Sequence, residues 1–240
     1  MSGARRYLIT GGTSGIGAAV AAHLTAVGHA VWVTGTSEAG TREAAGRVAG
    51  ASVADVTDPD STHAAFAEAV AALGGLDGAF LNAGIDGEGL PAQELSPTAF
   101  ARVLAVNTVG VLTSAQAAFR HLERPGQIVV NASVNALRAE THFADYNASK
   151  AAALSIAHTL ALEWGPLGLS VVAVCPGYFR SRMTAPYLDD PAIAAELVSH
   201  IPTGRFGEPE DIGALLELLL GPSASYLNGS TVSIDGGRSL

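Results

Sequence analysis

The sequence predicts an α/β protein in which a parallel sheet is covered by helices on both faces. Short apolar runs rich in β-branched residues alternate with longer alanine-rich segments along the 240 residues. Strand and helix repeated in this order are typical of a doubly wound sheet with buried strands. No charge run or Ser/Pro-rich linker divides the chain, so we expect one dinucleotide-binding and catalytic domain over residues 1–240.

Seven runs are predicted as strands and six segments as helices. The predicted strands are Tyr7–Thr10, Ala30–Thr34, Ser52–Ala54, Gly78–Leu81, Gln127–Asn131, Ser170–Val174 and Thr231–Ile234. The predicted helices are Ile16–Val27, Arg42–Val48, Pro59–Leu73, Pro97–Leu122, Asp145–Trp164 and Pro209–Leu220. Ligands of such sheets bind beyond the carboxyl ends of the strands, so polar residues just after each strand are the candidate site residues.

Charge and composition exclude several classes of function. The net charge of −9 argues against nucleic-acid binding, which needs clustered Lys and Arg. Cys175 is the only cysteine and lies in an apolar run, so we expect a buried thiol and no disulfide within the chain. The histidines lack metal-ligand spacing, so no metal site is predicted. With no signal segment and no long apolar span, we expect a cytoplasmic protein with no membrane contact.

A glycine-rich turn follows the first strand and opens the first helix. Glycines in this position allow a tight turn and a close approach to a pyrophosphate, whose charge the helix N-terminus stabilises. A ligand-free glycine turn is the alternative. The candidate cofactor residues here are Gly11, Thr13, Ser14, Gly15, Ile16 and Gly17.

The residues after the second strand favour NADP(H) over NAD(H). An acid that would hold a free ribose 2′-hydroxyl is expected about 20 residues past the glycine loop, and Gly35 stands there instead. Thr36 and Ser37 offer hydroxyl donors to a 2′-phosphate, with Arg42 nearby. Alternatively, Thr36 and Ser37 cap the next helix.

The following strands end in further candidate residues. Asp55 and Val56 follow the third strand, where a carboxylate can accept from the adenine amino group; a turn aspartate is the alternative. Asn82, Ala83 and Gly84 end the fourth strand, where a thin turn suits a cofactor and Asn82 can bridge neighbouring strands.

Three polar groups are the candidates for acid–base chemistry. Ser133 follows the fifth strand and can meet a substrate carbonyl, while Tyr146 and Lys150 lie one helical turn apart. A nearby cation is expected to lower the tyrosine pKa and make the phenol a better acid. Asn107, inside a predicted helix, needs a partner, and either a catalytic role or a buried structural amide is consistent with it.

These motifs, together with Pro176-Gly177 and Asp235-Gly-Gly237, resemble in order and spacing the classical short-chain dehydrogenases/reductases over essentially the whole chain. The resemblance implies a single-domain Rossmann fold with a seven-stranded parallel sheet in the order 3-2-1-4-5-6-7. It also implies a nicotinamide cofactor and a homotetramer or homodimer, with Pro97–Leu122 and Asp145–Trp164 in one interface and the C-terminal segment in another.

The resemblance also assigns roles. Ser133 orients the carbonyl, Tyr146 protonates it, and Lys150 holds the nicotinamide ribose and links to a proton relay through Asn107. Pro176, Gly177 and Ser181 complete the cofactor site. A substrate lid is expected over about 182–203, and the substrate is expected to contact Ser133, Asn135, His142, Tyr146 and Tyr178. Arg180 and Arg182 are candidates for contact with an anionic substrate.

Three functions remain open from the sequence. The favoured one is NADPH-dependent reduction of a small-molecule ketone to a secondary alcohol. The others are an NAD-dependent alcohol dehydrogenase working in the oxidising direction and a regulator that senses a dinucleotide without turnover. The polar run from Asn135 to Phe143 favours an oxygenated ketone over a fatty one.

Overall fold

A seven-stranded parallel sheet forms the centre of the computed structural model, which describes residues 3–181 and 183–240. The strands lie in the order β3-β2-β1-β4-β5-β6-β7, as the family resemblance implies. They are β1 (Arg6–Thr10), β2 (Ala30–Gly35), β3 (Gly50–Val53), β4 (Leu76–Leu81), β5 (Leu122–Asn131), β6 (Leu169–Pro176) and β7 (Thr231–Ile234). Each predicted strand overlaps one of these, so the predicted fold class is confirmed.

Helices connect the strands and cover both faces. They are α1 (Gly15–Ala26), α2 (Glu38–Ala45), α3 (Pro59–Leu73), α4 (Pro97–Leu104), α5 (Gly110–His121), α6 (Ala144–Trp164), α7 (Ala185–Leu188), α8 (Pro191–Ser199) and α9 (Pro209–Leu220). Helices α3 and α9 begin and end at the predicted residues. Helix α2 begins four residues before the predicted start at Arg42, because Ser37 caps it by accepting the Gly40 N–H at 3.3 Å.

Consecutive residues of the strands supply two separate apolar cores. Leu8 and Ile128 belong to the core beneath α3, α5 and α6, whereas the adjacent Ile9 and Val129 belong to the core beneath α1 and α9. This alternation follows from the two-residue period of a strand, whose side chains point to opposite faces. Both faces of the sheet are therefore buried, and the polar edge at the carboxyl ends of the strands is left for a site.

The segment predicted as one helix over Pro97–Leu122 is divided. A π-helical turn over Ala105–Val109 separates α4 from α5. By length and composition alone, Pro97–His121 is also apolar enough to cross a membrane. Here it packs against α3 and α6 with Val103, Val111 and Ala115 buried, so it is a core helix of this fold.

Candidate active site

A cleft of about 680 Å³ lies at the carboxyl ends of the strands. It brings together most of the residues predicted to bind a cofactor. These are Gly11, Thr13, Ser14, Gly15, Ile16, Thr36, Asp55, Val56, Asn82, Ala83, Gly84, Tyr146, Lys150, Pro176, Gly177 and Ser181. The cleft therefore lies at the edge of the sheet where the sequence places a ligand.

The glycine loop has the geometry of an anion cradle. Gly11 has a φ of +63°, and a Cβ there would lie 2.8 Å from the Ala83 Cα. Ser14 precedes α1 without capping it through its side chain, which leaves N–H groups of the first turn free to meet a phosphate. Gly17 does not line the cleft; a Cβ there would approach the Asn82 side-chain nitrogen to 2.5 Å. Its role is close packing between helix and strand.

Asn82 connects three strands at the floor of the cleft. Its side-chain nitrogen donates to the carbonyl oxygens of Thr10 and Gly11, at 3.1 Å in each case. Its side-chain oxygen accepts from the Asn131 amide at 2.9 Å. The hydroxyl of Thr10 in turn accepts the backbone N–H groups of Asn82 and Ala83. The predicted bridging between neighbouring strands is thus present in the structure.

The region after β2 lacks room for an acid. A Cβ at Gly35 would lie 2.6 Å from the Thr13 methyl group, so the glycine and the threonine occupy complementary space. Thr36 lines the cleft, but Ser37, predicted as a second cofactor residue, does not, because its hydroxyl caps α2. Arg42 is exposed and outside the cleft lining.

Asp55 makes local turn contacts at the adenine end. One carboxylate oxygen accepts the Thr57 N–H at 2.9 Å and the Thr57 hydroxyl at 2.7 Å. This is the turn geometry that the sequence offered as an alternative. Asp55 nevertheless lines the cleft and is exposed, so its second oxygen remains available to a ligand.

Lys150 is a buried cation beside Tyr146. Its ammonium donates to the Asn131 carbonyl oxygen at 2.8 Å and lies 5.6 Å from the centre of the Tyr146 ring. Burial lowers the pKa of Lys150 to about 8. Lys150 is also the only lysine among the 240 residues, in a chain whose other basic side chains are arginines and histidines. Composition alone therefore distinguishes this residue from the other basic side chains.

The pKa of Tyr146 does not follow the expected direction in this structure. Burial raises it, and the Asp86 carboxylate also raises it, while hydrogen bonding with the Ser133 hydroxyl acts in the opposite direction. The net lowering of the Tyr146 pKa that was predicted from Lys150 is therefore not present, because the loss of hydration outweighs the effects that favour the phenolate. A neutral phenol is the form that donates a proton, and this environment stabilises that form.

Asn107 is a fully satisfied buried amide. Its oxygen accepts the Ile85 N–H at 2.8 Å, and its nitrogen donates to the Ile85 carbonyl at 2.9 Å and to the Ser149 hydroxyl at 3.1 Å. The side chain is buried and does not line the cleft. It ties the π-helical turn to the loop after β4 and to α6, and it thereby supports the structural alternative for this side chain.

A smaller cavity of about 70 Å³, called the substrate cavity below after its predicted role, adjoins the cleft. Ser133 and Tyr146 line both spaces, and Asn135 and Tyr178, which are predicted to contact the substrate, line this cavity. His142 is exposed, has a φ of +67° and lines neither space, so the structure does not support its predicted contact with substrate.

Sequence reasoning missed two carboxylate–tyrosine pairs in the substrate cavity. Tyr187, on α7, donates to Asp86 at 2.9 Å. Tyr178 donates to Glu140 at 2.7 Å, and Arg238 forms an ion pair with Glu140 at 2.7 Å. Asp86 lies two residues beyond the Asn82-Ala-Gly84 motif that follows β4, so its position after a strand was the signal that pointed to it.

The segment predicted as a lid, about 182–203, contains two short helices, α7 and α8. Arg180, a candidate for contact with an anionic substrate, is exposed and pairs with Glu208 at 3.2 Å. Arg182 lies outside the described residues. Within residues 3–181 and 183–240, no group of three or more His, Cys, Asp or Glu side chains is arranged to hold a metal ion.

In sequence and in structure, the chain is similar to known dehydrogenases and reductases. A family profile described as enoyl-(acyl carrier protein) reductase matches residues 11–239. A 3beta-hydroxysteroid dehydrogenase of Eggerthella lenta is 37% identical over 98% of this chain and 94% of its own length. A glucose 1-dehydrogenase of Gluconobacter oxydans is 33% identical over 98% of this chain and 92% of its own. A 3-ketoacyl-(acyl-carrier-protein) reductase of Brucella melitensis, solved with NADH, superposes with a TM-score of 0.91 at 29% identity, covering 98% of each chain.

Proposed function

The chain belongs to the classical short-chain dehydrogenase/reductase family and is an oxidoreductase, and from this premise we propose that it reduces a ketone to a secondary alcohol with NADPH. The observation that carries the proposal is the place of Ser133 and Tyr146, which line both the cofactor cleft and the substrate cavity. A carbonyl at this junction meets two hydroxyl groups on one side and the cofactor space on the other.

The cleft residues fit a nicotinamide dinucleotide. The glycines leave space that a Cβ would fill, and the first turn of α1 offers N–H groups to a pyrophosphate. When bound, the cofactor supplies the hydride, and the protein supplies position and electrostatics. Gly11, Gly15 and Ile16 would hold the phosphates, with Ser181 facing the glycine loop across the cleft.

The protein's own residues provide the proton and stabilise the charge. Reduction places negative charge on the carbonyl oxygen, and hydrogen-bond donors aimed at that oxygen lower the barrier. Ser133 donates to the oxygen and orients it, while Tyr146 donates the proton as general acid. Burial keeps Tyr146 protonated until this charge develops, and the same residue acts as base in the reverse direction.

Lys150 provides the positive charge that Tyr146 needs after it has given up its proton. Its ammonium, anchored on the Asn131 carbonyl, lies beside the Tyr146 ring and stabilises the phenolate after proton transfer. Its remaining N–H groups would hold the nicotinamide ribose. Asn107 acts through the position of the loop after β4, because its side-chain amide is already fully bonded.

The preference for NADPH rests on the residues after β2. No carboxylate occupies position 35, and Thr13 fills the space in which one would lie, so a 2′-phosphate meets no repulsion there. Thr36 offers its hydroxyl from the cleft wall.

A second candidate is an NAD-dependent enzyme, favoured by the NADH bound to the Brucella relative and by the position of Arg42, which is exposed and outside the cleft lining. Calorimetric titration with NADPH and NADH separates the two. We expect NADPH to bind at least tenfold more tightly, and tighter binding of NADH would overturn the choice. Consumption of NADPH with small ketones then tests the reaction itself.

We expect the chain to form an oligomer through its helices. Exposed apolar side chains support a homotetramer or homodimer formed through α5 and α6, namely Val109 in the preceding π-helical turn, Leu112 on α5 and Leu162 on α6. Light scattering at working concentration tests the state, and a monomer would contradict it. A cytoplasmic location is part of the same proposal.

A further inference from the structure

Within the described part of the chain, one carboxylate that lines the substrate cavity, Asp86, makes no ion pair, and the cation of Lys150 acts on it only at a distance. Among the described residues, no Lys, Arg or His nitrogen lies within 4.0 Å of Asp86, whereas Glu140 in the same cavity pairs with Arg238 at 2.7 Å. Asp86 accepts the Tyr187 hydroxyl on one oxygen and the Gly87 N–H on the other. A carboxylate accepts about four hydrogen bonds in all, so each oxygen retains a free acceptor site.

The walls beside Asp86 are aromatic. Phe143 meets Tyr146 edge to face with ring centres 6.5 Å apart, and it meets Tyr187 in the same way at 6.0 Å. Aromatic faces attract a cation through their quadrupole, and they do so more strongly in a site shielded from water. A carboxylate within an aromatic enclosure is the chemistry that recognises an ammonium group.

The negative charge of Asp86 also makes the cavity unfavourable for anions. Asp86 is partly buried, and burial raises its pKa, as does the charge of Asp145. A second negative charge beside it would meet repulsion in a poorly hydrated space. An ammonium group would instead compensate the charge and keep Asp86 ionised.

We propose that the substrate is a ketone, or the matching alcohol, that carries a protonated amine within a few atoms of the carbonyl, and that Asp86 determines this specificity. The cavity volume of about 70 Å³ suits a compact polar group of this kind. The inference rests on the proposed function, because it places the substrate carbonyl at Ser133 and Tyr146.

Three small ketones provide the test with the enzyme and NADPH at neutral pH. Aminoacetone, hydroxyacetone and acetoacetate share a methyl ketone and differ in whether the substituent is an ammonium, a hydroxyl or a carboxylate. We expect kcat/KM to be highest for aminoacetone, about tenfold above hydroxyacetone, because a charge-assisted hydrogen bond replaces a neutral one. Acetoacetate is expected to be the poorest. Equal values, or preference for acetoacetate, would overturn the proposal.

Variants assign the effect to Asp86. Asp86→Asn keeps one side-chain oxygen as an acceptor but removes the charge. It should lower the ratio of kcat/KM for aminoacetone to that for hydroxyacetone about tenfold. Tyr187→Phe keeps the ring and the Asp86 charge, and its ratio should not fall. Asp189→Asn, which removes an exposed acid at the end of α7, is the control and should leave the ratio unchanged. A fall in the Tyr187→Phe or Asp189→Asn ratio equal to that in Asp86→Asn would contradict a charge-based mechanism.

A binding measurement separates this proposal from the reaction itself. Calorimetry with the NADPH-loaded protein compares isopropylammonium with isopropanol, and NADPH can reduce neither of them. If the ammonium binds more tightly than the alcohol and Asp86→Asn removes this difference, the ammonium site is supported even if no ketone is reduced. A lack of ketone reduction would contradict only the proposed reaction. Binding of the ammonium no tighter than the alcohol would overturn the inference even if hydroxyacetone is turned over.

Discussion

The ionisation of Lys150 gives a prediction whose size follows from its environment. The side chain is 3% exposed, and burial lowers its pKa from 10.5 to about 8. At about 1.4 kcal/mol for each pH unit, keeping the ammonium charged in the folded protein costs about 3 kcal/mol. Below pH 8 this cost is fully present. Between about pH 8 and 10.5 the folded state binds fewer protons than the unfolded state, so stability from this group rises with pH.

Replacement by an uncharged side chain of similar length removes the cost. Lys150→Met also loses the hydrogen bond to the Asn131 carbonyl, which leaves an acceptor unpaired and offsets about 1–2 kcal/mol of the gain. We therefore expect a net stabilisation of about 1–2 kcal/mol at neutral pH and a rise in Tm of roughly 2–8 °C for a chain of this length. Turnover should be lost, because the cation beside Tyr146 is gone.

A single signal reports the pKa directly, because the chain has only one lysine. Protein labelled with isotopically enriched lysine is titrated from neutral to strongly alkaline pH and followed by NMR at the side-chain Cε. A midpoint near 8 is expected, and the unfolded protein provides the reference. Arg120→Met, which removes an exposed cation on α5, is the control for Tm and should change it little. A midpoint near 10.5, or a lower Tm for Lys150→Met, would refute this account of the buried charge.

Three further predictions follow from the packing. Gly17→Ala should weaken NADPH binding at least tenfold in a fluorescence titration, because the new Cβ would lie 2.5 Å from the Asn82 side chain. Gly46→Ala is the control and should bind NADPH normally, because the atom nearest to its new Cβ is 3.5 Å away. Cys175 should resist a thiol reagent until urea unfolds the protein, because it is fully buried and burial raises its pKa to about 11; prompt labelling of native protein would contradict this. Asn107→Ala should lower the free energy of unfolding by about 2–4 kcal/mol through the loss of three hydrogen bonds, and unchanged stability with abolished turnover would instead point to direct catalysis.

The sheet and the cofactor edge were predictable because their signals are local. β-branched runs mark strands, and the glycine loop between β1 and α1 joins a turn, a helix start and a close approach within eight residues. Ser37 shows the limit of such signals. A hydroxyl after a strand suits both a cofactor contact and a helix cap, and only the position of Gly40 decides for the cap.

The substrate cavity was less predictable, because its contacts join distant parts of the chain. Tyr187 and Asp86 are 101 residues apart, and Arg238 and Glu140 are 98 residues apart. No periodicity or motif encodes such pairs, which depend on how α7 and the C-terminal segment fold back over the sheet. The pKa of Tyr146 was mispredicted because its dominant cause is burial and not the nearby Lys150.

The most direct test of the central claim is the turnover of Tyr146→Phe. The substitution removes one hydroxyl and keeps the ring that lines both the cleft and the substrate cavity. Stopped-flow and steady-state assays with NADPH and a reducible ketone should show kcat reduced to background, while the Kd for NADPH, measured by calorimetry, stays within a few-fold of the parent. A variant that keeps near-normal kcat would contradict Tyr146 as the proton donor.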